Sequence, residues 1–325
     1  MKKKILKLIE QTNVYDVAKK TELQFLDEFS KQHLNSFYLK REDQQPVYSF
    51  KLRGAYQKIS LLTSEQLSRG VVAASAGNHA QGVAYSAMKK KIKSTIVMPA
   101  TTPEIKVNAV KRYASKVILH GDSYDDAYEK AQEIIADSNA TFIHPYDDYE
   151  VIAGQGTIAS ELLDQLSSID YVFIPVGGGG LFAGMALYLK YKNPSIKIIA
   201  VEPENSACFN AALTAKKRVV LDSVGIFVDG VAVKQIGKIP FDLARDYVDD
   251  TVLLTTDEIC AGIKDIYDNI RAIAEPAGAL ALAGMKKYSM LHGLENKTLV
   301  GVLCGANINF HRLRHISERA EIGEQ

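Results

Sequence analysis

The sequence predicts an α/β protein built on parallel sheets with helices on both sides, and three observations lead there. Short β-branched runs recur along the 325-residue chain. They are apolar enough to be strands buried on both faces. Amphipathic helical stretches alternate with them, the pattern that places helices over a parallel sheet.

In chain order the strand runs are VVAAS from Val71, STIVMPA from Ser94, KVILHG from Lys116, TFIHPY from Thr141, YVFIPVG from Tyr171, IKIIAVEPE from Ile196, TVLLTT from Thr251 and TLVGVLCG from Thr298. Among the helical stretches are SYDDAYEKAQEII from Ser123 and TTDEICAGIKDIYDNI from Thr255, the latter opening with a capping box of Thr255 and Glu258. Eight such strands suit one barrel or two smaller sheets, and periodicity leaves both open. The hydrophilic gap from Lys216 to Asp250 argues against an evenly repeating barrel. No repeat, low-complexity tract or Pro/Ser-rich linker marks a domain boundary.

Composition removes several classes of function. Lys plus Arg (39) nearly cancels Asp plus Glu (38), and hydrophobic residues make up 47% of the chain. Neither nucleic acid nor an anionic membrane is therefore an expected partner. The basic runs Lys2–Lys4 and Lys89–Lys91 are short and far apart and read as solvated surface. MKKKILKLIEQTN meets Lys7 and Glu10 too early for a secretory signal. Cys208, Cys260 and Cys304 match no metal-ligand spacing and leave an odd thiol, so a reduced cytoplasmic setting and no metal are expected. The uncharged stretch Tyr171 to Leu189 is long enough for a membrane span. Pro175 and the glycines that follow make it a strand, a turn and a helix instead.

Four constellations carry chemistry. In SFKLRGA, Lys51 stands between Phe50 and Leu52. As a surface residue it would lay its stem along them with its head in water. Pressed into apolar surroundings, it would lose the solvation that favours its charge and become a nucleophile able to form a Schiff base. The second is Gly177-Gly178-Gly179-Gly180, between a strand and the helix LFAGMALYLKY, which reads as a phosphate cradle of backbone N–H groups at a helix N-terminus. Gly178-x-Gly180-x-x-Ala183, with Glu202 at a later strand end, also satisfies the permissive dinucleotide fingerprint. That nicotinamide oxidoreductase reading leaves SFKLRGA unexplained.

The third constellation, Ser75-Ala76-Gly77-Asn78-His79-Ala80-Gln81-Gly82, follows a strand and opens a helix; its small and polar residues suit a substrate carboxylate, although an N-cap alone needs only Ser75 or Asn78. The fourth is Cys304-Gly305-Ala306-Asn307 at the end of a buried strand. Cys304 is there either as a small hydrophobe or, at a strand's carboxyl end, as a ligand contact. An amine, a phosphate cradle and a carboxylate site together call for a phosphorylated aldehyde, and pyridoxal phosphate is the common cofactor that meets all three demands.

Over nearly its whole length the chain resembles the fold-type II pyridoxal phosphate enzymes (the tryptophan synthase β-like fold), and among them the threonine ammonia-lyases of the biosynthetic kind. The motifs are LKREDQQPVYSFKLRGAY, ASAGNHAQGVA, VIAGQGT, IPVGGGGLFAG, VEPENSA, AEPAGALALAGMKKY, CGANINFHRLR and SERAEIGEQ. The resemblance implies two open, twisted, mostly parallel sheets with flanking helices, in a large domain of residues 1–53 and 151–325 and a small inserted domain of 54–150. It implies that Lys51 carries the cofactor, that Asn78 bonds the ring hydroxyl, and that Gly177, Gly178, Gly179, Gly180 and Leu181 hold the phosphate. Phe50 would pack on the ring, and Ser75, Ala76, Gly77, Asn78 and His79 would line the substrate carboxylate site, with Glu275 a further candidate. Cys304 stands where the family has a serine or cysteine facing the pyridine nitrogen, in place of the serine expected in near relatives.

The activity so implied is dehydration and deamination of L-threonine to 2-oxobutanoate and ammonia, and of L-serine to pyruvate, at the first step of isoleucine biosynthesis. Serine racemase and other β-replacement enzymes of the same fold are the alternatives within this cofactor class. A cytoplasmic homotetramer or homodimer is expected. SERAEIGEQ lies where long relatives continue into an isoleucine-binding regulatory domain, so no feedback by isoleucine is expected.

Overall fold

The computed structural model describes residues 2–323, so the last two residues of SERAEIGEQ, and of the expected large domain, lie outside it. Ten strands form two sheets. They are β1 (Leu23–Phe25), β2 (Ser36–Arg41), β3 (Val71–Ala74), β4 (Ser94–Met98), β5 (Lys116–Leu119), β6 (Thr141–Phe142), β7 (Tyr171–Pro175), β8 (Lys197–Pro203), β9 (Asp250–Leu254) and β10 (Thr298–Leu303). The larger sheet has the order β1-β2-β10-β7-β8-β9 and the smaller β5-β4-β3-β6. Every pairing is parallel except β1 with β2. Two separate open sheets exclude the barrel.

All eight expected strands are present, and β1 and β2 are additional. β2 is hard to see in the sequence because SFYLKR ends in two charged residues, yet Lys40 is 0% and Arg41 8% exposed. Lys40 is buried against Glu161 at 2.6 Å, and Arg41 against Asp43 at 2.8 Å. A buried charge is tolerated when paired; the partner of Lys40 lies more than a hundred residues away and leaves no local trace, while that of Arg41 stands two residues on.

Each sheet has its own apolar core. Phe173, Phe182, Phe209 and Leu39 are buried in the larger one, while Ile59, Val83, Ile96 and Ile143 pack beside the smaller. The uncharged stretch beginning at Tyr171 is β7, a glycine turn and the helix Gly180–Lys192. No helix among the described residues is long and apolar enough to cross a membrane.

Candidate active site

β2, β10 and β7 are parallel neighbours, with Leu303 opposite Arg41 and Gly301 opposite Phe173. Their carboxyl ends therefore open on one side, where ligands bind in open α/β sheets. Beyond β10 the chain pairs again with the segment before Lys51. Ser49 bridges Gly305, Phe50 N–H donates to the Cys304 carbonyl at 3.2 Å, and Ala306 N–H donates to that of Tyr48 at 2.9 Å. Tyr48, at φ 56°, turns the chain in the left-handed region that glycine favours. Lys51 then opens the helix Lys51–Ser60 beside Cys304. The helix Asn78–Lys90 crosses close by, because a Cβ on Gly82 would stand only 3.0 Å from the Lys51 carbonyl carbon.

The glycine loop follows β7. Gly179 has φ +89°, and a Cβ on Gly178 would lie 2.1 Å from the Tyr146 ring, so side chains are excluded on both conformational and steric grounds. The helix begins at Gly180, and its first N–H groups have no acceptors within the helix. A positive helix end behind small residues attracts an anion.

One pocket gathers Phe50, Lys51, Asn78, the backbone from Gly177 to Leu181, and Cys304. It takes in about 450 Å³ of space, open solvent at its mouth included. Lys51 donates to the Pro145 carbonyl at 3.1 Å, and its amine lies 5.4 Å from the centre of the Phe50 ring. Burial lowers its pKa to about 8, against the opposing pull of Cys304 and Glu275. The Cys304 thiol donates to the Ala277 carbonyl at 3.2 Å, and burial pushes its pKa well up. It is therefore uncharged.

Glu275 also lines the pocket. Its carboxyl is pushed up to about 7, first by burial and then by Asp229. Asn78 Nδ2 donates to Glu275 Oε1 at 2.6 Å, and Asn78 Oδ1 accepts from Asn307 Nδ2 at 2.7 Å. Asn307 N–H in turn donates to Glu275 Oε2 at 3.1 Å. The amide of Asn78 is thus clamped with its oxygen toward Asn307, and one Nδ2 hydrogen remains for a ligand.

The residues expected at the substrate carboxylate, Asn78 apart, stand outside this lining. Ser75, Ala76, Gly77 and His79 do not line this pocket. Ser75 Oγ accepts from Gly77 N–H at 3.2 Å, and a Cβ on Gly77 would meet nothing within 4 Å, so open space lies before that loop. The His79 ring is buried against the Ile143 carbonyl at 2.7 Å, with Nδ1 unpartnered. Burial, followed by the charge of Lys51, lowers its pKa to about 3, so it stays neutral. Tyr146, Gly230 and Val231 are pocket residues the sequence did not reveal. They come from irregular segments, and only the HPYDD and DG turn signals mark their neighbourhoods. Glu202 is not free to bind ribose, since its oxygens accept from Phe209 and Asn210 N–H at 2.9 and 2.8 Å and cap the helix Cys208–Ala215. The dinucleotide reading loses its acid.

A half-buried amine of lowered pKa, a glycine cradle with no room for side chains, and an amide with one free hydrogen fit a phosphorylated pyridine aldehyde. Comparison with known proteins agrees. Residues 14–305 match the family described as pyridoxal-phosphate dependent enzyme. The biosynthetic L-threonine dehydratase of Pasteurella multocida is 56% identical over 320 residues, covering 98% of this chain and 62% of that protein. The chain thus spans about three fifths of the curated relatives it matches. The processed form of threonine deaminase isoform 2 from Solanum lycopersicum superposes with a TM-score of 0.97 at 43% identity, covering 99% of this chain and 88% of that one. Maize serine racemase does so at 0.90 and 30% identity, covering 99% and 98%.

Proposed function

The chain belongs to the pyridoxal-phosphate dependent enzymes, and from that premise we propose that it is a threonine ammonia-lyase, converting L-threonine to 2-oxobutanoate and ammonia and L-serine to pyruvate and ammonia. One observation carries the reading: Lys51 is half-buried in the cradle's own pocket, with its amine on a carbonyl rather than paired with a carboxylate. The names of the relatives support this choice among the reactions of the family.

When bound, pyridoxal phosphate supplies an electron sink that weakens the α-C–H bond of an attached amino acid. Lys51 would hold its aldehyde carbon and, once released by the incoming amino group, take the α-proton at Nζ. With a pKa near 8 a useful fraction of this amine is neutral at neutral pH. The backbone from Gly177 to Leu181 would grip the phosphate, Phe50 would cover the ring, and Asn78 would offer its free hydrogen to the ring hydroxyl. An uncharged Cys304 would offer the ring nitrogen only a weak, neutral partner, so the group held there would stabilise less charge than beside a carboxylate. Ser75, Ala76, Gly77 and Asn78 would offer hydrogen-bond donors to the substrate carboxylate, and His79, held on Ile143, would hold the start of their helix in place.

On this reading residues 54–150 form a small domain closing on a large one of 1–53 and 151–325, in a cytoplasmic homo-oligomer that serves isoleucine biosynthesis. The test is release of 2-oxobutanoate from L-threonine by the purified protein, with the visible spectrum followed through turnover. A bound-cofactor band perturbed by threonine without keto acid release would overturn the lyase in favour of a racemase or a β-replacement enzyme.

A further inference from the structure

A second cavity, lined in part by Lys106, Phe227, Asp229, Asn307 and Arg312, lies against the cofactor pocket. Its walls come from opposite parts of the molecule. Lys106 sits on the helix Glu104–Lys111, between β4 and β5 of the smaller sheet, while Asp229 and Arg312 belong to segments following β8 and β10 of the larger. It also shares a partition with the inner pocket. Asp229 directly precedes Gly230 and Val231, which line that pocket, and Asn307 reaches through to hold Asn78.

We propose that this outer cavity is the vestibule through which a zwitterionic amino acid reaches the site, and that the Lys106–Asp229 ion pair is its latch; the choice of amino acid rests on the lyase reading. Lys106 Nζ stands 2.6 Å from Asp229 Oδ2. On the opposite side Arg312 lies 3.9 Å from Asp229 Oδ1 and is itself fixed, donating to the Phe227 carbonyl at 2.5 Å with its guanidinium 4.8 Å from the Phe227 ring centre. Asp229 is thus anchored to its own wall, and Lys106 is the arm that reaches across. Two cations against one carboxylate leave the vestibule positive, which suits the carboxylate of an arriving amino acid. When the pair is made, the wall of Gly230 and Val231 is tied to the smaller sheet and the substrate is retained. Asp229 and Lys106 also bear on Glu275 in opposite senses, so the latch is felt at the clamp on Asn78.

The test compares Lys106→Asp, Asp229→Lys and the doubly reversed protein as holoenzymes. Each single reversal should raise KM for L-threonine about fivefold with kcat within about twofold, as befits loss of a partly exposed pair. The double reversal should recover KM in part, since it remakes the pair across the cavity but sets a cation beside Arg312. Cofactor release, followed by its fluorescence without substrate, should quicken in the singles and recover in the double, and this readout stands even if threonine is not the substrate. Unchanged singles, or a double reversal no better than they are, would overturn the latch. Should a reversal misfold, Lys106→Gln and Asp229→Asn remove the pair without reversing it, and unchanged KM and cofactor release in both would overturn the latch equally.

Discussion

Two groups of ionisable side chains meet the helix Lys51–Ser60 only two residues apart, one around Arg53 and one around Lys51, and they behave in opposite ways. Arg53 is sealed off from solvent yet bonds Glu42 at 2.8 Å and Glu161 at 2.6 Å, with Lys40 on Glu161 at 2.6 Å. Burial works against its charge, but the two carboxylates more than compensate and raise its pKa. Lys51, Glu275 and Cys304 have no such partners, and burial pushes each toward its neutral form. The low dielectric is common to both. Complementary pairing makes a rigid anchor of the first, and its lack leaves the second with a lysine and a glutamate that exchange protons near neutral pH beside a thiol that stays neutral.

The contrast can be broken at either end. Lys51→Ala should abolish turnover, by at least about a thousandfold as for loss of a positioned base and nucleophile, with the circular dichroism of the fold unchanged. Appreciable keto acid release by pure variant would show that the unpaired amine is not the reactive one. Glu161→Leu should instead leave Arg53 and Lys40 short of a partner and lower unfolding stability by about 3–5 kcal/mol in urea titrations. If the variant melts like the parent, the paired cluster is no anchor.

The pH dependence of stability sharpens the same comparison. Glu275 is raised from its ordinary range to about 7, so in the cofactor-free protein the folded state binds the extra proton between roughly pH 4.5 and 7. Its contribution is full below that window and is lost as pH rises through it. Glu275→Gln should remove this slope, worth roughly 2–3 kcal/mol, in urea titrations across the window. Lys51, lowered to about 8, acts the other way, and stability should rise with pH between about 8 and 10.5. The smallest effect is expected of Cys304→Ser, which exchanges one neutral donor for another and should keep kcat within about threefold. A much larger loss would mean that the thiol contributes through its charge.

What could be read in the sequence followed from locality. β3, β4, β7, β8 and β10 announce themselves because a strand buried on both faces is apolar almost throughout, whereas β5 is exposed at both ends and shows only its short β-branched run; the glycine loop stands out because Val231, Tyr146 and the backbone turn at Gly179 leave no room for a Cβ. SFKLRGA shows an amine among apolar neighbours but not whether it is paired, and that is settled by Cys304 and Glu275, more than two hundred residues away. β2 was hidden by its closing charges, of which Lys40 finds Glu161 more than a hundred residues on and Arg41 pairs with nearby Asp43. Tyr146 and Val231 carry no chemical signature and are pocket residues only because Gly178 and Gly177 pack against them. His79 shows the converse, a reactive residue type in a reactive motif whose ring the fold ties to the Ile143 carbonyl.

The strand order also governs when the site can exist. β10, the last strand among the described residues, lies between β2 and β7. A chain emerging from the ribosome would hold Lys51 and the glycine loop on strands with a gap between them until residues 298–305 arrive to fill it. Closing that gap joins segments separated by over 250 residues, the kind of long-range pairing that is slow to form. Pairing of Tyr48–Phe50 with Cys304–Ala306 comes with the same event, so the neonatal chain cannot present a finished cofactor site early. Capture of the cofactor therefore reports the arrival of β10: nascent chains stalled before residue 298 should leave it free, and chains extended far enough for residues 298–305 to clear the ribosome should take it up.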